Sequence, residues 1–104
     1  MMEKTMTEHL TRDDFAKQLN TAFQVYFTPE KVSGAELVEV TEAQQRIRQD
    51  SFSLLFLLPP EVPIEQGNYT IEHPALATFD LFLVPISKSN EGVKFEAVFN
   101  RLIE

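Results

Sequence analysis

The strongest constraint on the fold is a stretch of alternating side chains between Gly67 and Pro85. Every second position points the same way on both sides of a His73-Pro74-Ala75 break: Tyr69, Ile71 and His73 before it, and Ala77, Phe79, Leu81 and Leu83 after it. Side chains on a β-strand alternate between its two faces, so a period of two predicts two strands joined by a short turn. Because Pro74 favours an extended conformation at the residue before it, it fixes where the first strand ends.

The same alternation predicts four further strands. Three of them cover 21–27, 35–41 and 51–58, and the fourth follows a turn at Ser87–Gly92. Their expected inward residues are Phe23, Val25 and Phe27; Phe52, Leu54, Phe56 and Leu58; and Val93, Phe95, Ala97 and Phe99. In 35–41 the face is ambiguous, since Val38 and Val40 lie opposite Leu37 and Glu39. Residues 30–34 are turn residues. Leu55 and Leu57 make 51–58 apolar on both faces, which is typical of a central strand covered twice.

One helix is predicted near the start of the chain. Thr11 is a suitable N-cap, and Asp13 and Asp14 lie where the helix dipole favours negative charge. Phe15, Ala16 and Leu19 form an apolar stripe, and Asn20 ends the helix.

No long helical segment separates consecutive strands, so parallel βαβ units are excluded. The sequence therefore predicts a mainly β fold: an antiparallel six-stranded barrel or small sandwich with one N-terminal helix. The helix is expected to plug an open end or to cover an unpaired edge.

A length of 104 residues, of which 43% are hydrophobic, predicts a single domain with its own core. We expect a flexible N-terminus at 1–10 and a single β-rich domain at 11–104. The sequence contains no cysteine, which excludes disulfides, a thiolate nucleophile and a zinc site with cysteine ligands.

The net charge of −7 is spread over both halves of the chain. A spread negative field repels phosphate backbones and anionic lipid surfaces, so neither nucleic acid nor membrane is an expected partner. The N-terminus lacks the apolar segment of a secretory signal, and the longest apolar run, Leu54 to Pro60, is shorter than a membrane span. The expected compartment is the cytoplasm. Export by a machinery that recognises no N-terminal signal is the alternative.

Candidate chemistry begins with the histidines, His9 and His73. His9 lies in the predicted flexible start. His73 follows Glu72 but faces the other way, and we expect it to hydrogen-bond to backbone at the turn. Two separated histidines do not form a metal-binding pair, and Asp13-Asp14 lacks the spacing of a calcium loop.

The remaining residue types also predict no catalytic, cofactor-binding or metal residue. Ser51 and Ser53 fit the polar positions of a strand, and no Gly-x-Ser-x-Gly motif occurs. The three glycines, Gly34, Gly67 and Gly92, do not form a phosphate-binding loop. The spacing of the carboxylates does not show a pair across a cleft.

Two segments are candidates for partner contact. Residues 42–50 form either a mobile hairpin loop or a short helical turn, with Arg46 and Arg48 as the basic cluster of an acidic protein. They are either a contact site or a solvated loop in which Glu42 pairs with Arg46. At the C-terminus, Leu102 and Ile103 pack either on the body or on a neighbour.

The chain resembles a family of small uncharacterised bacterial domains. The resemblance rests on Gly67-Asn-Tyr-Thr-Ile-Glu-His-Pro-Ala-Leu-Ala-Thr-Phe-Asp-Leu-Phe-Leu-Val-Pro85, with Phe52-Ser-Leu-Leu-Phe56 before it and Phe95-Glu-Ala-Val-Phe-Asn100 after it. It covers about Phe15 to Asn100 and departs from the pattern at Ala77, where Gly is usual, and at Phe95, where Tyr is usual. Neither departure suggests another fold. The resemblance implies no catalytic residue, and it implies an accessory or structural role near phage-tail-like collar proteins.

The sequence thus leaves the function unknown and favours a non-enzymatic protein-interaction or structural accessory module without a cofactor. Its expected partner is another protein, and its oligomeric state is open. The alternative is a small-molecule or peptide binder that uses the barrel mouth, followed by an unrecognised hydrolase.

Overall fold

The computed structural model of the protein describes residues 10–46 and 49–102, and it describes side chains for 10–41 and 51–99. It contains one short helix and six strands: α1 Arg12–Ala16, β1 Ala22–Thr28, β2 Lys31–Arg46, β3 Gln49–Leu58, β4 Gly67–His73, β5 Ala77–Ser89 and β6 Gly92–Leu102. The strands close into a barrel in the order β1-β2-β3-β6-β5-β4, and every neighbouring pair is antiparallel. The prediction of a six-stranded antiparallel β fold with one helix is confirmed. Of the two predicted forms, barrel and sandwich, the structure is a barrel.

Apolar side chains fill the interior of this barrel. The inward residues predicted for β3, β5 and β6 are buried, apart from the half-buried Ala77 at the start of β5: Phe52, Leu54, Phe56, Leu58, Phe79, Leu81, Leu83, Val93, Phe95, Ala97 and Phe99. In β1, Phe23 and Val25 are fully buried, and Phe27 packs half-buried against the same core. A barrel of this size has an interior that side chains alone can fill.

The helix closes one end of the barrel, as predicted. Phe15 is fully buried, and its ring centroid lies 6.3, 5.8 and 5.7 Å from those of Phe52, Phe79 and Phe99 respectively. Thr11 caps the helix: the Asp14 N–H donates to its hydroxyl at 3.1 Å, and its own N–H donates to the Asp14 carboxylate at 2.8 Å. This short element thereby anchors an aromatic plug.

The helix is shorter than predicted, ending at Ala16 rather than at Asn20. Leu19 is 40% exposed, so its place in the apolar stripe was wrong. Asn20 adopts a left-handed conformation with a φ of 66°, which asparagine tolerates better than most residues, and its N–H donates to the Leu37 carbonyl at 2.7 Å. The helix therefore ends before Asn20, and the chain turns there into β1.

Two aromatic rings close the opposite end of the barrel. Phe27 and Tyr69 meet edge to face with centroids 5.2 Å apart, and Tyr69 also contacts Phe95. Burial, and then the charge of Glu65, raise the pKa of Tyr69, so its hydroxyl stays protonated and donates to the Glu65 carbonyl. Val62, from the connection between β3 and β4, is buried beside this end.

A bulge in β2 explains why the inward face of this strand was ambiguous in the sequence. Its register with β3 shifts between Leu37 and Glu39, so a bulge at Val38 changes the parity of the strand. Leu37 is buried before the bulge, and Val40 packs against the core after it. The predicted turn at 30–34 was too long, since β2 already begins at Lys31.

Residues 42–46 and 49–50, predicted to belong to a mobile hairpin loop or a short helical turn, continue strands β2 and β3 instead. The β2–β3 ladder continues to Arg46↔Gln49. Residues 47–48, and the side chains of 42–50, lie outside the described residues, so the Glu42–Arg46 pair and partner contact at this hairpin stay predictions. Leu102 belongs to β6, while its side chain and Ile103 also lie outside the described part.

The turn predicted at Ser87–Gly92 is likewise shorter in the structure, because β5 extends to Ser89. The β5–β6 register shifts between Pro85 and Ser87. A bulge is a position where a strand tolerates a proline, which lacks a backbone donor.

The predicted flexible N-terminus at 1–10 lies outside the described residues except for Leu10. That side chain is 6% exposed and belongs to the core. Leu10 therefore packs with the β-rich domain.

Replacing Ala77 by glycine is expected to stabilise the protein by about 0.5–1 kcal/mol. Ala77 follows the turn closed by the Leu76 N–H and the His73 carbonyl, and its φ of 63° is strained for a residue with a Cβ. Urea unfolding measures the change. Ala22→Gly in β1 is the control and should lower stability by about 0.5–1 kcal/mol. A less stable Ala77→Gly variant would contradict the assignment of strain at this turn.

Candidate functional site

His73, at the end of β4, is one of two buried polar residues among those whose side chains the structure describes. The Ala75 N–H donates to its Nδ1 at 3.0 Å, so Nδ1 carries no proton. Its Nε2 therefore bears the proton and donates to the Thr21 hydroxyl at 2.9 Å. That hydroxyl in turn donates to the Gln18 carbonyl at 2.6 Å. The predicted backbone hydrogen bond of His73 at the turn is confirmed.

The environment of His73 suits a structural role. Its ring lies 4.3 Å from that of Phe23, and both ring nitrogens are occupied by the contacts above. Burial lowers the pKa of the imidazole, which keeps it neutral. The network joins the β4–β5 turn to the segment between α1 and β1. The Thr21 partner could not be anticipated, because it lies 52 residues away in the chain.

We expect the stability of the protein to fall as pH drops from 7 toward 5. In the unfolded chain His73 titrates near its ordinary pKa of 6.5, whereas burial lowers that pKa in the folded protein. Below about pH 6.5 the unfolded chain therefore binds more protons than the folded one, which favours unfolding. Urea unfolding at pH 7, 6 and 5 measures this dependence.

The matched variant for this pH dependence is His73→Asn. It keeps an acceptor for the Ala75 N–H but does not titrate, and His9 is present in both proteins. The wild type should lose more stability than the variant over this pH range. Equal losses would show that His73 is not held neutral by the fold.

The other residues considered in the sequence do not converge on one place. Asp14 caps α1, while Asp13 is exposed and lies 3.6 Å from the Arg12 guanidinium. Ser51 is buried and Ser53 is half-buried on β3. Within the described residues, no three histidine, cysteine, aspartate or glutamate side chains cluster as metal ligands. Nor does that part of the chain contain a helix of the length and apolarity that crossing a membrane requires.

The described grooves lie on the outer surface and at the rim of the barrel. One groove, of about 430 Å³, runs between β1 and β4 and is lined by Tyr26, Phe27, Thr28, Pro29, Asn68, Thr70, Glu72 and Thr78. A neighbouring groove of about 350 Å³ is lined by Ala22, Gln24, Glu72 and Pro74. At the mouth closed by Phe27, a pocket of about 160 Å³ is smaller than the roughly 300–1,000 Å³ of typical ligand sites.

A second surface feature is an apolar patch on the outside of the barrel wall. We call it the outer apolar face; it comprises Leu55 of β3, Phe82 and Val84 of β5, and Val98 of β6. Phe82 is 50% exposed and Val98 is 60% exposed. Leu55 is half-buried, so the prediction that β3 is covered on both faces was wrong.

The register shows that the three strands carrying this patch adjoin one another. Glu96 pairs with Leu55 on one side and with Val84 on the other. Val98 lies two residues further along β6, on the same outward face as Glu96. Phe82 lies two residues before Val84 on the outward face of β5. The alternation already placed Phe82 and Val84 outward, but it did not show that β5 pairs with β6, the strand that carries Val98.

Acidic side chains accompany the outer apolar face. Glu96 lies within it, and Glu39 borders it as the β2 partner of Leu55. Glu39 is exposed and accepts a hydrogen bond from the Thr41 hydroxyl at 2.7 Å. The face thus combines exposed apolar area with negative charge.

Fold and surface together define a small, closed β-barrel domain whose interior is packed and whose grooves and apolar patch lie outside. The family model for the domain of unknown function DUF6916 matches residues 10–99. The chain therefore belongs to this family, and the predicted membership of an uncharacterised domain family is confirmed. No curated protein matches the chain. No solved structure matches it either.

Proposed function

We propose that the domain is a non-enzymatic protein-interaction module that binds its partner through the outer apolar face. The observation that carries the proposal is the exposure of Phe82 and Val98 on a barrel whose interior already holds a full apolar core. Exposed apolar patches with a polar rim mark interaction sites more often than chance. Aromatic side chains such as Phe82 are enriched at the centres of such interfaces.

The charge around the face favours a partner of a particular kind. Two copies of this chain that met through this surface would bring the Glu39 and Glu96 carboxylates of both into one interface, and like charges across an interface are costly. A partner with apolar side chains bordered by lysine or arginine satisfies both the apolar area and the carboxylates. We therefore propose a different protein as the partner rather than a second copy.

The two alternatives have less support from the described residues. A binder that uses the barrel mouth has only the small pocket beside Phe27 and Val62, and Phe15 plugs the opposite end. A hydrolase would need a convergent polar pocket, whereas His73 is engaged with Thr21 and Ala75. A cytoplasmic location and a link to phage-tail-like assemblies remain part of the proposal.

The test is co-purification from the cells that produce the protein, using tagged wild type, Val98→Glu and Ile64→Glu. Ile64 is 49% exposed and lies in the β3–β4 connection, so it matches the exposure of Val98 outside the face. We expect one protein to co-purify in a fixed ratio with wild type and Ile64→Glu, and to be depleted at least tenfold with Val98→Glu. Binding of the purified partner should weaken as salt is raised. Retention of that protein by Val98→Glu, or the absence of any protein in a fixed ratio, would overturn the proposal.

A further inference from the structure

The ladder between β1 and β4 ends before either strand does. Their ladder contains three residue pairs, Gln24↔Glu72, Val25↔Ile71 and Tyr26↔Thr70. Yet β1 extends on to Thr28, and β4 begins at Gly67. On its other side β4 pairs with β5 over its whole length. Residues 67–69 therefore present an edge toward β1 that has no ladder partner in the described part of the chain.

The groove of about 430 Å³ lies beside the end of this ladder. Its lining combines Phe27 and Thr28 from beyond the end of the ladder with Asn68 from the facing strand. The neighbouring groove shares Glu72 and continues along β1 toward Ala22. We call the two together the seam groove. At roughly 3.3 Å per residue, the unpaired edge at 67–69 offers about 10 Å of backbone to the middle of an extended segment.

The negative charge of the seam groove favours a ligand with a positively charged group. Glu72 lines both parts and is the charged residue in either lining. The Tyr26 hydroxyl donates to its Oε1 at 3.3 Å, a long contact that leaves acceptor positions on the carboxylate. The Tyr26 ring adds an aromatic surface, which attracts ammonium and guanidinium groups.

We propose that the seam groove binds an extended peptide segment that adds as a strand along residues 67–69 and seats a lysine or arginine on Glu72. Strand addition supplies main-chain hydrogen bonds at an open sheet edge, and a side-chain contact supplies the specificity. This site is separate from the outer apolar face, although the two adjoin where Asn68 pairs with Phe82. Either site can therefore fail its test without affecting the other.

The test is a titration of the full ¹⁵N-labelled chain, followed by amide chemical shifts. One probe is an acetylated and amidated hexapeptide that alternates threonine and valine around one lysine. The second replaces the lysine with glutamate, and the third is N-acetyl-lysine amide alone. We expect saturable shifts at 26–28 and 67–72 with the lysine peptide, and at least tenfold weaker binding of the other two probes.

Two variants test whether Glu72 binds the positively charged side chain of the peptide. Glu72→Gln should weaken binding of the lysine peptide at least fivefold, whereas Glu61→Gln, which changes an exposed residue at the mouth pocket, should not. Shifts confined to another surface, or equal affinity for the lysine and glutamate peptides, would overturn the proposal. Equal affinity of N-acetyl-lysine amide would overturn strand addition, and so would the absence of saturable binding at millimolar peptide.

Discussion

Replacing Phe79 by alanine is expected to lower the free energy of unfolding by about 3–5 kcal/mol. Phe79 is fully buried, and its ring contacts Phe15 of the helical plug and Phe23 of β1, with centroids 5.8 and 6.5 Å away. The substitution removes a large apolar side chain and leaves a cavity that three elements of the fold cannot fill by collapsing. The sequence predicted a loss of about 2–5 kcal/mol for Phe79→Ala or Leu81→Ala, and the burial of both residues supports it.

The control is Phe82→Ala, three residues further along β5. Phe82 is 50% exposed and points outward, so its removal should cost about 1 kcal/mol or less. Urea unfolding of the two variants under identical conditions measures the difference. Similar losses at the two positions would mean that the inward and outward faces of β5 are assigned wrongly.

Replacing Gly92 by alanine is expected to cost about 3–5 kcal/mol, which combines backbone strain with overpacking. Gly92 begins β6 with a φ of 146°, which residues with a Cβ rarely adopt. An added Cβ would overlap the Leu58 carbonyl oxygen and lie 3.1 Å from Leu57 Cδ1. Because the first obstacle is backbone of β3, it cannot move aside without disturbing the β3–β6 ladder.

Gly34→Ala is the matched control for this substitution. A Cβ built at Gly34 meets nothing within 4 Å. We expect no loss of stability but a gain of up to about 1 kcal/mol, because alanine loses less conformational entropy than glycine at an unstrained strand position. Thermal and urea unfolding compare the two variants. A Gly92→Ala protein as stable as the wild type would contradict the position of the β5–β6 turn against β3.

Local patterning predicted most of the barrel wall. Where a strand keeps a strict period of two, as in β3 and β6, the expected inward residues are the buried ones. The failures occur where the period breaks. The shift beside Val38 changes the parity of β2, and the shift after Pro85 lets β5 continue into the expected turn. Bulges depend on the partner strand, so a single strand's sequence does not reveal them.

The candidate surfaces were harder to predict than the core. Phe82 was correctly placed outward, but the strand order that sets β5 beside β6, which carries Val98, did not follow from the sequence. The seam groove depends on the β1–β4 ladder ending at Tyr26↔Thr70. Both features are set by how strands distant in sequence pair. The backbone contact of His73 was predictable because it lies two residues away, whereas its contact with Thr21 was not.

The most direct test of the central claim, that the outside of a packed barrel binds a protein, is the affinity of the purified partner for two variants. Phe82→Ala alters the outer apolar face, and Ile64→Ala removes a similarly exposed side chain elsewhere. Isothermal titration calorimetry should show a Kd raised at least tenfold by Phe82→Ala and unchanged by Ile64→Ala, with both proteins folded. An unchanged Kd for Phe82→Ala would contradict the account, because the partner would then bind without the outer apolar face.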